Sequence, residues 1–124
     1  MLNEGTTMIK TAADLIKRAQ EKINCIDVKS AKQLFDSAGN VFIFDVREAE
    51  DVTKGKVRQS IHISRGLLEM KIHKHCPDAD SIILTHCAGG GRASLSALTL
   101  QQMGYTQVYA IAGTFDDIKA AFDS

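Results

Sequence analysis

The run Cys87-Ala88-Gly89-Gly90-Gly91-Arg92 places a thiol, three glycines and a cation within six residues. An apolar stretch, Ser81-Ile82-Ile83-Leu84-Thr85-His86, leads into it, and a helical pattern from Ala93 to Met103 leads out. The thiol is therefore expected on a strand-to-helix turn. Glycine tolerates the backbone angles of a tight cradle, so several N–H groups can converge on one point. The N-terminus of the next helix adds positive potential there. Both effects favour thiolate over thiol, and the thiolate is the nucleophile. Covalent chemistry at Cys87 is the expectation, with an anion held by the loop residues Ala88, Gly89, Gly90 and Gly91 and by Arg92. A cation in a first helical turn opposes the helix dipole, at a cost of up to ~1 kcal/mol. That cost is consistent with an anion occupying the site.

Other reactive side chains carry weaker signals. Asp45 closes an apolar run from Val41 to Val46, two residues before Arg47. Bonding to nearby backbone amides, or pairing with Arg47, is its expected role. An ionised carboxylate beside Cys87 would disfavour the thiolate, so Asp45 and Arg47 are read as supporting residues. His73, His75, Cys76, His86 and Cys87 lack the i,i+4 spacing of helical metal ligands, and no metal is expected. His86 is expected to face away from Cys87, partly exposed at the strand end. Nothing in the spacing brings Cys25 or Cys76 within disulfide reach of Cys87.

The elements that must hold this turn follow from the hydrophobic pattern. Ile9, Ala12, Ala13, Ile16, Ala19 and Ile23 recur at helical spacing over residues 9–23, with Thr11 and Asp14 as a variant capping box. Ile26 and Val28 fit a very short strand. Ser30 and Gln33 match a capping box for a helix that buries Ala31, Leu34 and Phe35 and stops at Gly39. The apolar run at 41–46 suits a strand covered on both faces. Residues 47–60 read as a short acidic helical turn and a loop, and Ile61-His62-Ile63 as a brief strand. Ser64 is placed to cap a helix to about His73 that buries Leu67, Leu68, Met70 and Ile72. Gln107 to Ile111 form a last strand. Thr114 and Asp117 cap a final helix holding Phe115, Ile118, Ala121 and Phe122.

Strands alternating with helices point to an α/β fold with a mostly parallel five-stranded sheet and helices on both faces. Ligand crevices in such sheets lie at the carboxyl ends of strands, where Cys87 falls. A helical extension over 1–24 and a domain over 25–124 are expected. The chain of 124 residues is long enough for one real core. Fifteen basic residues offset fifteen acidic ones, so no basic field argues for nucleic acid. The apolar run Val41 to Phe44, like every other here, is far too short to span a bilayer. Residues 1–8 read as a loose start; the first seven lack the basic and apolar regions of a signal peptide, and three unpaired cysteines fit a reducing compartment. A cytoplasmic location is the expectation.

Four segments resemble the single-domain rhodaneses, or rhodanese-like sulfurtransferases, across roughly residues 25–122. Phe44-Asp45-Val46-Arg47-Glu48 resembles the family's Asp-Val-Arg-Glu strand end. Gly55 to Ile63 is similar to its Gly-His-Ile-x-Gly-Ala-x-Asn-Ile stretch. His86 to Ser94 resembles the Cys-x-x-Gly-x-Arg-Ser loop. Gly104 to Gly113 resembles the segment before the last helix. Lys56, Gln59 and Ser60 depart from the family's His, Gly and Ala; Thr114 replaces a glycine and Ile118 a tryptophan.

The resemblance implies two half-reactions without a cofactor. A small anionic donor such as thiosulfate passes its outer sulfur to Cys87 as a persulfide, and a thiol or cyanide acceptor, a protein thiol included, takes it. Alternatives are a protein-partnered persulfide carrier or binding module, and a Cys-dependent phosphatase or arsenate reductase. The last two use Cys-x5-Arg loops, whereas four residues separate Cys87 from Arg92. Ala88 and Gly89 bring no charge to recognise thiosulfate, so weak selectivity for that donor is expected.

Overall fold

A computed structural model describes residues 9–124; the loose start expected over 1–8 lies outside the described residues. Its strands are β1 (Asn24–Asp27), β2 (Val41–Asp45), β3 (Ile61–His62), β4 (Ile82–His86) and β5 (Gln107–Ala112). Its helices are α1 (Ala12–Gln20), α2 (Val28–Ala38), α3 (Ala49–Thr53), α4 (Leu68–His75), α5 (Gly91–Gln102) and α6 (Phe115–Phe122). The sheet order is β1-β5-β4-β2-β3, and every pairing is parallel. β4, the strand that carries Cys87 at its end, is thus central.

The central strands are continuously apolar because both sheet faces are covered. On one face Phe44, Ile83 and Val108 meet Leu68, Ile72, Ala97 and Leu100 of α4 and α5. On the other, Ile43, Leu84 and Ile111 meet Ala31, Ile118 and Phe122 of α2 and α6. Each fully buried Leu, Ile or Phe side chain contributes roughly 1.5–3 kcal/mol.

Several local expectations are corrected. α2 is capped by Asp27, whose carboxylate accepts from the Ser30 N–H at 2.7 Å, not by Ser30. Asp27 ends β1 and reaches the third helical amide first, so Val28 belongs to the helix and not to a strand. Ser64 caps nothing with its side chain: residues Arg65–Leu67 make a 3-10 turn before α4 begins. That turn shifts the helical phase, so Leu68 and Ile72, four apart, face the sheet, while Leu67 and Met70 are exposed. The helix expected over 9–23 is shorter, Ala12–Gln20, so Ile9 precedes it and is exposed; on α1 itself Ala12 and Ala13 are exposed and only the second half, from Ile16 to Ala19, turns inward.

The Thr11–Asp14 box forms in both directions, at 3.2 and 2.9 Å. Gly39 ends α2 with φ 73°, a left-handed stop that glycine adopts without strain. Four of the positions that depart from the family pattern have local explanations, and the exposed Gln59 has none in the structure. Lys56 Nζ donates to the Ser60 carbonyl at 2.9 Å and Ser60 Oγ to the Val57 carbonyl at 2.8 Å, closing that loop. Thr114 caps α6, accepting from the Asp117 N–H, and Ile118 is fully buried.

Candidate active site

The turn after β4 wraps the Cys87 sulfur. The Gly90 N–H donates to Sγ at 3.1 Å and the Ala93 N–H at 3.3 Å. Gly90 stands at the N-cap of α5 with φ 98°, a value that a residue with a Cβ rarely adopts. Having no side chain, it cannot accept from the third helical amide, that of Ala93. The Cys87 sulfur, three residues earlier, fills that acceptor position. Two N–H groups aimed at one sulfur are the geometry that stabilises negative charge on it. Cys87 itself is 1% exposed, while Ala88 and Gly89 beside it are exposed.

The three glycines divide their work. Gly90 supplies the backbone angle. At Gly91 the requirement is space: a Cβ there would lie 2.8 Å from Ile16 Cδ1. At Gly89 a Cβ would meet nothing within 4 Å. Ala93, which the sequence pattern does not mark as a site residue, contributes an amide. Its signal was available in the glycine N-cap, which leaves the third amide of the helix in need of an acceptor. The loop is pinned elsewhere too, with the Ala88 carbonyl accepting from the Phe115 N–H at 3.0 Å and the Ala93 carbonyl from Thr85 Oγ1 at 2.9 Å. Arg92 is half-buried, and its Nη1 lies 3.8 Å from Asp51 Oδ2.

Asp45 and Arg47 form a buried pair beside the loop. Arg47 Nη2 donates to Asp45 Oδ2 at 2.7 Å and to the Gly55 carbonyl at 2.8 Å, and the Arg47 N–H donates to Asp45 Oδ1 at 3.0 Å. The guanidinium lies 3.9 Å above the Phe115 ring. Burial, the largest single influence, pushes the Asp45 carboxyl up, but the Arg47 hydrogen bonds together with the charges of His86 and Arg47 hold it below the usual range.

His86 corrects the expectation of partial exposure. It is fully buried, stacked on Phe115 with centroids 6.2 Å apart, and registered beside Asp45. The sheet is covered by Phe115 at this point, which closes off the strand end. Neither ring nitrogen has a hydrogen-bond partner among the described residues, and Nε2 is 3.9 Å from Asp45 Oδ2. Burial lowers the His86 pKa below its ordinary 6.5, against the upward pull of Asp45.

A pH dependence of stability follows. Below 6.5 the unfolded chain takes up a proton that folded His86 resists, so stability is full above 6.5 and declines as pH drops below it. A second decline sets in below 3.8, as pH falls through the lowered Asp45 value. Urea midpoints measured from pH 7.5 downward are expected to show both, and His86→Phe to remove the first. An unchanged first decline in that variant refutes the assignment.

The remaining cysteines stand apart. Cys76 is buried, and burial pushes its thiol up to about 11. Cys25 pairs in register with Ala110, which pairs with Thr85, so it lies two strands from β4. Two strand spacings are roughly 10 Å, beyond disulfide reach. Among the described residues no group of three or more His, Cys, Asp or Glu converges as a metal site. No helix among them is long and apolar enough to cross a membrane.

A family model, the rhodanese-like domain, matches residues 12–121. Solved structures agree in fold. A protein of unknown function from Rhodopseudomonas palustris, described as a possible tyrosine phosphatase, is 29% identical, with TM-score 0.79 over 96% of both chains. A homodimeric polysulfide-sulfur transferase from Wolinella succinogenes is 26% identical, with TM-score 0.71, covering 83% of this chain and 77% of that one. A rhodanese with anions from E. coli is 28% identical, with TM-score 0.59, over 63% of this chain and 91% of that one.

Proposed function

Because this chain belongs to the rhodanese-like domain family, we propose that it is a sulfurtransferase working through a persulfide on Cys87. The observation that carries the reading is the pair of N–H groups, from Gly90 and Ala93, that meet on the Cys87 sulfur at the end of the central strand. In the first half-reaction the Cys87 thiolate attacks the outer sulfur of thiosulfate. A new S–S bond forms, the donor's S–S bond breaks, and sulfite leaves with the electron pair. In the second, a thiolate or cyanide attacks the outer sulfur of the persulfide, and the Cys87 thiolate leaves. The cradle serves both steps, since negative charge returns to the same sulfur.

The mouth of the site is sparingly charged. Ala88 and Gly89 are neutral, and the Arg92 guanidinium already faces Asp51. That supports a second reading, in which a partner protein's persulfide or thiol is the physiological donor or acceptor. Phosphate-ester hydrolysis fits less well despite the description of the Rhodopseudomonas protein, because four residues between Cys87 and Arg92 build a smaller cradle than Cys-x5-Arg loops do.

The test is incubation with thiosulfate and cyanide, with thiocyanate and intact mass as readouts. Thiocyanate release and a gain of one sulfur are expected. Sulfur uptake without release favours the partnered carrier, and comparable hydrolysis of a phosphate ester favours the phosphatase. Arg92→Ala is expected to raise the thiosulfate KM roughly three- to tenfold, the scale of one typical net hydrogen bond, because the guanidinium is already partly engaged by Asp51. An unchanged KM reduces Arg92 to a loop-shaping residue.

A further inference from the structure

The N-terminal helix reaches the cradle by contacts that the sulfur chemistry does not itself require. Ala19 is fully buried where α1 packs on α5. Gln20 Nε2 donates to Ser94 Oγ at 3.3 Å, and that hydroxyl donates onward to the Gly90 carbonyl at 2.7 Å. A serine hydroxyl can accept and donate at once, so the two bonds are compatible. Gly90 is the residue whose own N–H meets the Cys87 sulfur. One turn back, the terminal methyl of Ile16 occupies the space that a Cβ at Gly91 would need. A cavity of about 80 Å3, lined by Gln20, Cys25, Gly90 and Ser94 among others, lies behind the loop. The loop therefore borders open space on that side, next to its contacts with α1.

We propose that α1 is a positioning element for the sulfur cradle: Gln20 acting through Ser94, and Ile16 bearing on Gly91, hold Gly90 with its N–H aimed at Cys87. This role rests on the sulfur-transfer reading for the choice of Cys87 as the reacting group. Both residues act through others and touch no substrate.

Amide hydrogen exchange at Gly90 and Ala93, measured by NMR against the amides of β4, reads the cradle directly. Gln20→Ala is expected to speed exchange at Gly90 roughly threefold, the scale of one modest hydrogen bond, with β4 unchanged. The rate of sulfur uptake from thiosulfate falls in parallel, with KM unaltered. Ser94→Ala has a larger effect, and adding Gln20→Ala to it changes nothing further, as a serial link requires. Ile16→Ala is expected to act in the same direction. Unchanged exchange at Gly90 in Gln20→Ala, or an equal rise in β4, overturns the Gln20–Ser94 link; the same outcomes in Ile16→Ala overturn the brace at Gly91. Exchange is read without any donor present. A wild-type protein that takes up no sulfur therefore refutes the sulfur-transfer reading while leaving the positioning role under test.

Discussion

Cys87→Ser is expected to abolish sulfur uptake and thiocyanate formation, a loss of roughly 10³-fold or more. Serine preserves shape and can still accept from Gly90 and Ala93, whose N–H groups lie 3.1 and 3.3 Å from the sulfur. What it lacks is a sulfur nucleophile able to form an S–S bond. The backbone should therefore survive the exchange, and the chemistry should not. Intact mass after thiosulfate reads the first half-reaction alone: the wild type gains one sulfur and the variant none. Gain of sulfur by Cys87→Ser at the wild-type rate would place the reaction at Cys25 or Cys76 and falsify the assignment.

Asp45→Ala is expected to cost about 3–5 kcal/mol of stability, because it leaves a buried guanidinium without its counter-charge. Arg47 is 5% exposed and Asp45 fully buried, so water cannot replace the lost partner. For a domain of this size that is a large share of the ~5–15 kcal/mol available. Urea unfolding at pH 7 measures it. Replacing both, as Asp45→Leu with Arg47→Met, should cost less than Asp45→Ala alone, since no charge is then stranded. A single-variant loss below ~1 kcal/mol would mean that the pair is solvated in solution.

Much of this molecule can be read one residue at a time. The apolar run at 41–46 specifies a strand covered on both faces, and Ile43 and Phe44 are buried on opposite sides of the sheet. Thr11, Gly39 and Thr114 mark helix ends through their own side chains or backbone angles, a local property. The helix starts at Ser30 and Ser64 were misplaced because a cap is a competition. Asp27 reached the α2 amide first, and a 3-10 turn took the residues after Ser64.

The site divides along the same line. A cysteine followed by glycines at a strand-to-helix turn follows from residue type and order, because the turn's geometry is set by neighbours in the chain. The bond from Ala93 to the sulfur required the helix to start at Gly91, which the pattern placed two residues later. His86, read as partly exposed, is buried because Phe115, 29 positions along, covers it. The contact of Gln20 with Ser94 spans 74 positions, and no periodicity encodes it. Sequence alone determined which residue is the candidate nucleophile and what kind of turn holds it, since both depend on side-chain chemistry and local backbone freedom. Tertiary structure decided which amides face the sulfur, what seals the strand end and what braces the loop. Those depend on packing between elements distant in the chain, where one register or one helical phase selects among contacts that the sequence permits equally.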